Sequence, residues 1–282
     1  MTRFPSHVKW VYLQTFSGAA IESGGANDNF EKPESVCKKM LRGIKGIIFD
    51  FDGTIFDSSN IAANLIAANP LEMLRVRNER LVRKQFAGRD FLSAENYYQV
   101  FFSSLGKLNL RSQEYMRNWY LKTFMPRMVK VLKKHYKPRP GFEDLLRRMD
   151  SPQSPVKMAV YSDYSFLKER MEALGLPPAE RILYYSPDSF GAQKPAVRPF
   201  LQIARDLDLA PQEILVIGDR EDTDGLGAFN AGMHFFCLET GKKRYFSLDP
   251  NRRRPDGEPH GPTLLMYAGR WEDLIHLLLE NN

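Results

Sequence analysis

The sequence predicts an α/β fold, a doubly wound parallel sheet carrying a helical insertion, from three observations. Gly46-Ile47-Ile48-Phe49-Asp50 is a short apolar run that stops on a carboxylate, the pattern of a strand buried on both faces. From about residue 139 onward, short apolar runs alternate with stretches whose apolar residues recur at helical spacing. Between these regions, residues 59–138 show no β-rich alternation and little glycine.

Residues 1–40 open with a short apolar patch, Lys9 to Phe16, interrupted by Gln14 and Thr15. A Gly-, Ser-, Asn- and Glu-rich stretch follows with little to bury, so these residues read as a poorly ordered extension and not as a signal peptide. The main domain takes residues 41–58 and 139–282, and the insertion takes 59–138. Ser58 or Ser59 suits a helix N-cap ahead of Ile61, Leu65 and Ile66. Phe101, Phe102, Tyr115, Trp119, Tyr120 and Phe124 cluster at helical spacing, as the core of a bundle does. Pro138, Pro140 and Gly141 end the insertion.

In the main domain, Phe142, Leu145, Leu146 and Met149 mark one face of a helix. Val156 to Tyr161 reads as a strand ending on Ser162 and Asp163. Leu167, Met171 and Leu174 form the next helical stripe, with Gly175 at its C-cap. Arg181 to Tyr185 is a short strand, and Phe200, Ile203, Ala204 and Leu207 mark a helix. Glu213 to Ile217 is a strand ending on Gly218 and Asp219, and Met233 to Leu238 is another. Residues 242–262 read as an exposed loop, before a last strand near Leu264 to Tyr267 and a helix from Glu272 to Leu279.

With 43% hydrophobic and 26% charged residues, the chain is of ordinary globular composition, and no apolar segment approaches bilayer-spanning length. Cys37 and Cys237 lack metal-ligand spacing, and two thiols in a reducing cytoplasm are the expectation. The five histidines are scattered, which suggests no zinc site.

Chemistry concentrates at the ends of the expected strands. Asp50 and Asp52, separated by one residue at the carboxyl end of a buried strand, stand where open α/β sheets place ligands. Asp-Gly turns and Asp caps are common, yet they explain one aspartate and not the pair with Thr54 and Asp57. Asp50-Phe51-Asp52-Gly53-Thr54-Ile55-Phe56-Asp57 resembles the first motif of the haloacid dehalogenase-like (HAD) hydrolase superfamily. The resemblance continues in order through Ser162, through Lys194 in Gly191-Ala192-Gln193-Lys194-Pro195, and through Gly218-Asp219-Arg220-Glu221-Asp222-Thr223-Asp224. It covers roughly residues 46–240 and implies a Rossmann-like core with a C1-type helical cap.

The resemblance implies that Asp50 is the nucleophile of phosphoryl transfer and Asp52 the acid for the leaving group, then the base for water. It further implies that Ser162 and Lys194 hold phosphate oxygens, and that Asp50, Asp52 (through its carbonyl), Asp219 and a second acid bind Mg²⁺. Spacing favours Asp224 as that second acid, with Asp222 and Glu221 the weaker candidates. The expected function is a phosphatase of a small phosphorylated metabolite; the alternatives are a phosphomutase, or a nucleic-acid or regulatory binding protein on the same fold. Taken alone, Ser162 serves equally well as a helix cap.

Charge is distributed unevenly. Residues 60–140 carry 16 Lys and Arg against 5 Asp and Glu, while the whole chain is only +6. Basic side chains on solvated helix faces account for most of this. A basic cap over an acidic cleft also suits an anionic small-molecule substrate, with nucleic acid the less favoured partner.

Overall fold

The computed structural model describes residues 8–12, 41, 43–239 and 264–280. Its centre is strand β2 (Gly46–Asp50), preceded in the chain by β1 (Val8–Tyr12). The insertion follows as α1 (Ile61–Ala68), α2 (Met73–Phe86), α3 (Ala94–Asn109), α4 (Gln113–Trp119) and α5 (Met125–His135). The main domain resumes with α6 (Phe142–Met149), β3 (Lys157–Tyr161), α7 (Leu167–Ala173), β4 (Leu183–Tyr185), α8 (Pro187–Phe190) and α9 (Val197–Asp206). It closes with β5 (Ile214–Gly218), α10 (Leu226–Ala231), β6 (His234–Leu238), β7 (Leu264–Gly269) and α11 (Trp271–Glu280).

Among the described residues, seven strands pair in parallel, in the order β1-β7-β6-β5-β2-β3-β4. The chain winds from β2 outward through β3 and β4, then returns to the other side of β2 with β5. That reversal makes the β2–β5 boundary the topological switch point, where α/β sheets open a crevice at their carboxyl ends.

Alternation along the strands divides the core between the two faces of the sheet. Ile47, Phe49, Met158, Val160, Leu215 and Ile217 pack with Phe142, Leu145 and Leu278 on one face. Ile48, Ala159, Tyr161, Ile214 and Val216 pack with Phe200, Ile203 and Phe229 on the other. Burial on both faces explains why these strands read as continuous apolar runs.

The insertion is tied down at its neck and at a loop between its helices. At the neck, Arg139 donates through Nε to the Thr54 carbonyl (2.9 Å) and through Nη2 to the Gly53 carbonyl (3.0 Å). Beyond α2, the Phe91 amide donates to the Gly191 carbonyl (2.9 Å) and Gly88 to the Lys194 carbonyl (3.1 Å). The expected aromatic core is present: Phe101, Phe102, Trp119, Tyr120 and Phe124 are buried, whereas Tyr115 is 41% exposed and stacks under Arg75.

The sequence reads residues 1–40 as a poorly ordered extension; within them, Val8–Tyr12 lies along β7 as the edge strand, with Val8 opposite Leu264 and Tyr12 opposite Ala268. Val-Lys-Trp-Val-Tyr is rich in β-branched and aromatic residues, and an exposed sheet edge supplies the partner that a five-residue run lacks alone. The strand expected from Arg181 starts at Leu183, because the Arg181 amide turns to the Asp150 carboxylate (2.7 Å). The rest of 1–40 and the expected loop at 242–262 lie outside the described residues.

Candidate active site

Parallel register brings the motif residues together. Asp50 ends β2 opposite Tyr161 of β3, so Ser162 follows one position beyond. Phe49 pairs with Ile217 of β5, which puts Asp219 just past the adjacent strand end. Two glycines allow the close approach. Gly53 has φ of +95°, and a Cβ there would stand 2.5 Å from Asp219 Oδ2. A Cβ on Gly218 would stand 2.5 Å from the side chain of Asp224. Asp224 reaches back because residues Glu221–Gly225 form one π-helical turn, with the Gly225 amide on the Arg220 carbonyl (3.2 Å).

Carboxylate oxygens of Asp50, Asp219 and Asp224 all lie within 4.8 Å of one another. Lys194 lies beside two of them, donating to Asp50 Oδ1 and to Asp224 Oδ1 (2.7 Å). The second oxygen of Asp50 accepts from Thr54 Oγ1 (2.9 Å). Asp224 is thus the carboxylate of its loop that lies beside both Asp50 and Asp219. Asp222 is exposed and pairs with Arg220, Nη2 to Oδ2 at 2.7 Å.

Burial dominates the electrostatics. It raises the Asp50 carboxyl to about 7, against the opposing pull of Lys194, with Asp224 and Asp52 adding to the rise. It raises Asp224 to about 6, again opposed by Lys194 and reinforced by Asp219. For Lys194 burial works the other way, yet Asp224 and Asp50 outweigh it and hold the ammonium well above its ordinary value. Three acids against one ammonium leave a deficit of positive charge, and an all-oxygen donor set suits a hard divalent cation.

Asp52 and Ser162 occupy the other side of Asp50. Ser162 Oγ donates to Asp52 Oδ2 (2.9 Å) and accepts from the Tyr164 amide (3.1 Å). Ser162 caps no helix: α7 starts at Leu167, with Phe166 at its N-cap position. The Asp52 carboxylate faces Ser162 and a buried guanidinium, Arg170, which donates to Asp52 Oδ1.

Sequence reasoning missed Arg170, whose helical position eight residues after Ser162 belongs to no motif. It also missed Asp163, whose Oδ1 accepts from the Lys194 amide (3.0 Å) and fixes the Lys194 loop against the end of β3. The second was open to reading, since Asp163 lies beside a candidate residue at a strand end.

Comparison with known proteins agrees with this geometry. Residues 44–232 match the family of haloacid dehalogenase-like hydrolases. The chain belongs to that family. It is 34% identical over 85 residues to a glyceraldehyde 3-phosphate phosphatase of Methanopyrus kandleri, a match covering 29% of this chain and 36% of that protein. The matched part is therefore about a third of that relative's length. The fold is similar to a 2-haloacid dehalogenase of Pseudomonas syringae (TM-score 0.54, 17% identity, 84% of this chain and 99% of the other). It is equally similar to the HAD hydrolase YfnB of Bacillus subtilis bound to magnesium (TM-score 0.54, 17% identity, 84% and 99%). At those identities the solved structures speak to the fold. Among the described residues, no helix is long and apolar enough to cross a membrane.

Proposed function

We propose that this HAD-like hydrolase is a Mg²⁺-dependent phosphatase that cleaves a small phosphorylated metabolite through an aspartyl-phosphate. The carrying observation is the pair of carboxylates on one strand end with separate surroundings. Asp50 lies among Lys194, Asp219 and Asp224, while Asp52 lies apart with Ser162 and Arg170. Hydrolysis of a carbon–halogen bond has no alkoxide leaving group to protonate and no use for the second carboxylate. A phosphate monoester needs one.

In this reading a carboxylate oxygen of Asp50 attacks phosphorus and the ester P–O bond breaks. Asp52 gives its proton to the departing alkoxide. Asp52 then takes a proton from water, whose oxygen attacks the aspartyl-phosphate and releases inorganic phosphate, restoring Asp50. Lys194, beside Asp50 and Asp224, would neutralise charge on the transferring group, and Thr54 would hold Asp50 in orientation. Asp50, Asp219 and Asp224 would hold the cation, which supplies charge neutralisation between the nucleophile and the phosphate dianion when bound. The insertion presents exposed Lys122, Lys130, Lys133, Lys134 and Lys137, a positive surface that favours approach of anionic small molecules.

The name of the Methanopyrus relative supports a phosphorylated metabolite as substrate class. A screen for phosphate release from phosphorylated metabolites, with Mg²⁺ and with EDTA, tests the proposal. Release in Mg²⁺ that EDTA abolishes is the expected outcome. Transfer of the phosphoryl group to a sugar without net release would assign a mutase, and no turnover of any ester would reject the reading.

A further inference from the structure

Among the described residues, the one fully buried arginine at the strand ends is tied to a group that the phosphatase reading places in the chemistry. Arg170, on α7, is 0% exposed and donates through Nη2 to Asp52 Oδ1. Its Nη1 donates to Ser162 Oγ (2.9 Å), and Ser162 Oγ in turn donates to Asp52 Oδ2 (2.9 Å). The three side chains close a ring in which each oxygen of Asp52 has its own donor. The guanidinium lies over the Phe51 ring at 4.4 Å and near the Tyr164 ring at 5.5 Å, so aromatic faces hold its plane.

Two details separate this arrangement from ordinary packing. Arg170 Nε is buried with no hydrogen-bond partner among the described residues, a cost accepted while both terminal nitrogens are directed at the Asp52–Ser162 pair. The pair is also asymmetric. The Arg170 side chain is wholly enclosed, whereas that of Asp52 is 23% exposed, two residues beyond Asp50. One end of the ion pair is thus anchored in the core and the other opens on the site.

We infer that Arg170 is a positioning residue for Asp52, anchoring Oδ1 so that Oδ2 is the atom that carries the proton. The inference rests on the phosphatase reading. Ser162 has one hydroxyl proton, which bonds either Asp52 Oδ2 or an incoming phosphate oxygen. When the phosphate takes it, Oδ2 loses its donor while Oδ1 keeps Arg170. A proton on Oδ2 then passes to the leaving oxygen as the P–O bond breaks, and the same oxygen later takes a proton from water. Without Arg170, once the phosphate holds the Ser162 hydroxyl, the Asp52 carboxylate loses its fixed donors, and proton transfer to a poor leaving group suffers first.

The test uses full-length protein with Mg²⁺ and a series of ring-substituted phenyl phosphates, from p-nitrophenyl phosphate to phenyl phosphate. Arg170→Ala should lose about tenfold more kcat/KM on phenyl phosphate than on p-nitrophenyl phosphate, because general-acid help matters most for the poorer leaving group. Added to Asp52→Asn, Arg170→Ala should cost less than about threefold more, since the two act as a unit. Guanidinium at non-denaturing concentration should partly restore Arg170→Ala, and Arg170→Gln serves as the second variant if Ala disturbs folding. Equal losses across the series, additive with Asp52→Asn, would overturn the inference, as would failure of both variants to fold. Asp52→Asn with an unchanged leaving-group slope, or wild type inactive on every ester, would instead bring down the reading beneath it.

Discussion

At the strand ends Asp50, Asp219 and Asp224 converge around Lys194, whereas in the insertion Glu79 meets one guanidinium, that of Arg83. Asp50, Asp224, Lys194, Glu79 and Arg83 are buried, and Asp219 is half-buried. In the insertion the charges cancel, and the surplus donors of Arg83 go to Tyr120 OH (2.6 Å) and the Asp163 carbonyl, with Tyr164 stacked at 3.9 Å. At the strand ends they do not cancel; burial raises Glu79 as well as Asp50 and Asp224, so it is the charge count that separates the two clusters. A balanced buried pair fixes the way two segments pack. An unbalanced one keeps free energy in reserve for a ligand that supplies the missing charge.

The largest effect should come from the unbalanced side. Asp50→Asn should lower phosphatase kcat by at least about 10⁴-fold, because the amide neither attacks phosphorus nor matches a carboxylate as a metal ligand. Circular dichroism should show the fold retained. Turnover within tenfold of wild type, in protein checked by mass for deamidation, would erase the contrast.

Arg83→Ala tests the balanced side. It leaves the fully buried Glu79 without its guanidinium and should cost about 3–5 kcal/mol of stability in chemical denaturation. The folded fraction should keep kcat within about tenfold. A stability change below about 1 kcal/mol would mean that the pair does not hold the insertion to the Asp163 loop.

The third effect is smaller and depends on pH. Asp50 and Asp224 titrate at about 7 and about 6 in the metal-free fold, above the ordinary 3.8. The folded state therefore binds protons that the unfolded chain releases, so these groups stabilise at low pH and that stability is lost as pH rises through this window. A divalent cation displaces those protons. Mg²⁺ should consequently raise the melting temperature more at pH 7.5 than at pH 5.5, read by fluorimetry against EDTA controls. Equal shifts at the two pH values would place the cation elsewhere.

The smallest effect separates neighbours in one loop. Asp222→Asn should change stability and kcat by less than about 0.5 kcal/mol and twofold, since Asp222 is exposed with Arg220. Asp224→Asn, beside Lys194, should raise the Mg²⁺ requirement sharply. Similar behaviour of the two in a magnesium titration would reopen which acid serves the site.

What the chain discloses by itself follows this same division. Strand-end residues are legible because a buried apolar run ending on Asp50, Ser162 or Gly218-Asp219 combines a structural signal with chemistry that packing does not require. Arg83 and Arg170 are not legible. Each lies in a helix where Arg is an ordinary solvated residue. Arg83 pairs with Glu79 one turn away, as solvated helix residues also do, and only the tertiary contact with Tyr164 and, for Arg170, with Asp52 shows either to be buried. Val8–Tyr12 was missed for a related reason: its partner β7 lies more than 250 residues further on, from Val8 to Leu264. The choice of Asp224 over Asp222 needed the π turn, whose geometry spacing alone favours but does not impose.

The proposed reaction requires Asp50 to be a nucleophile toward phosphorus, and chemical trapping tests this without relying on a variant. Protein turning over p-nitrophenyl phosphate with Mg²⁺ is quenched in acid and reduced with borohydride, which converts an acyl-phosphate to an alcohol, and the peptides are weighed by mass spectrometry. Homoserine is expected at position 50, absent without substrate and absent in EDTA. Turnover with an unreduced Asp50, or reduction at any other carboxylate, would contradict it.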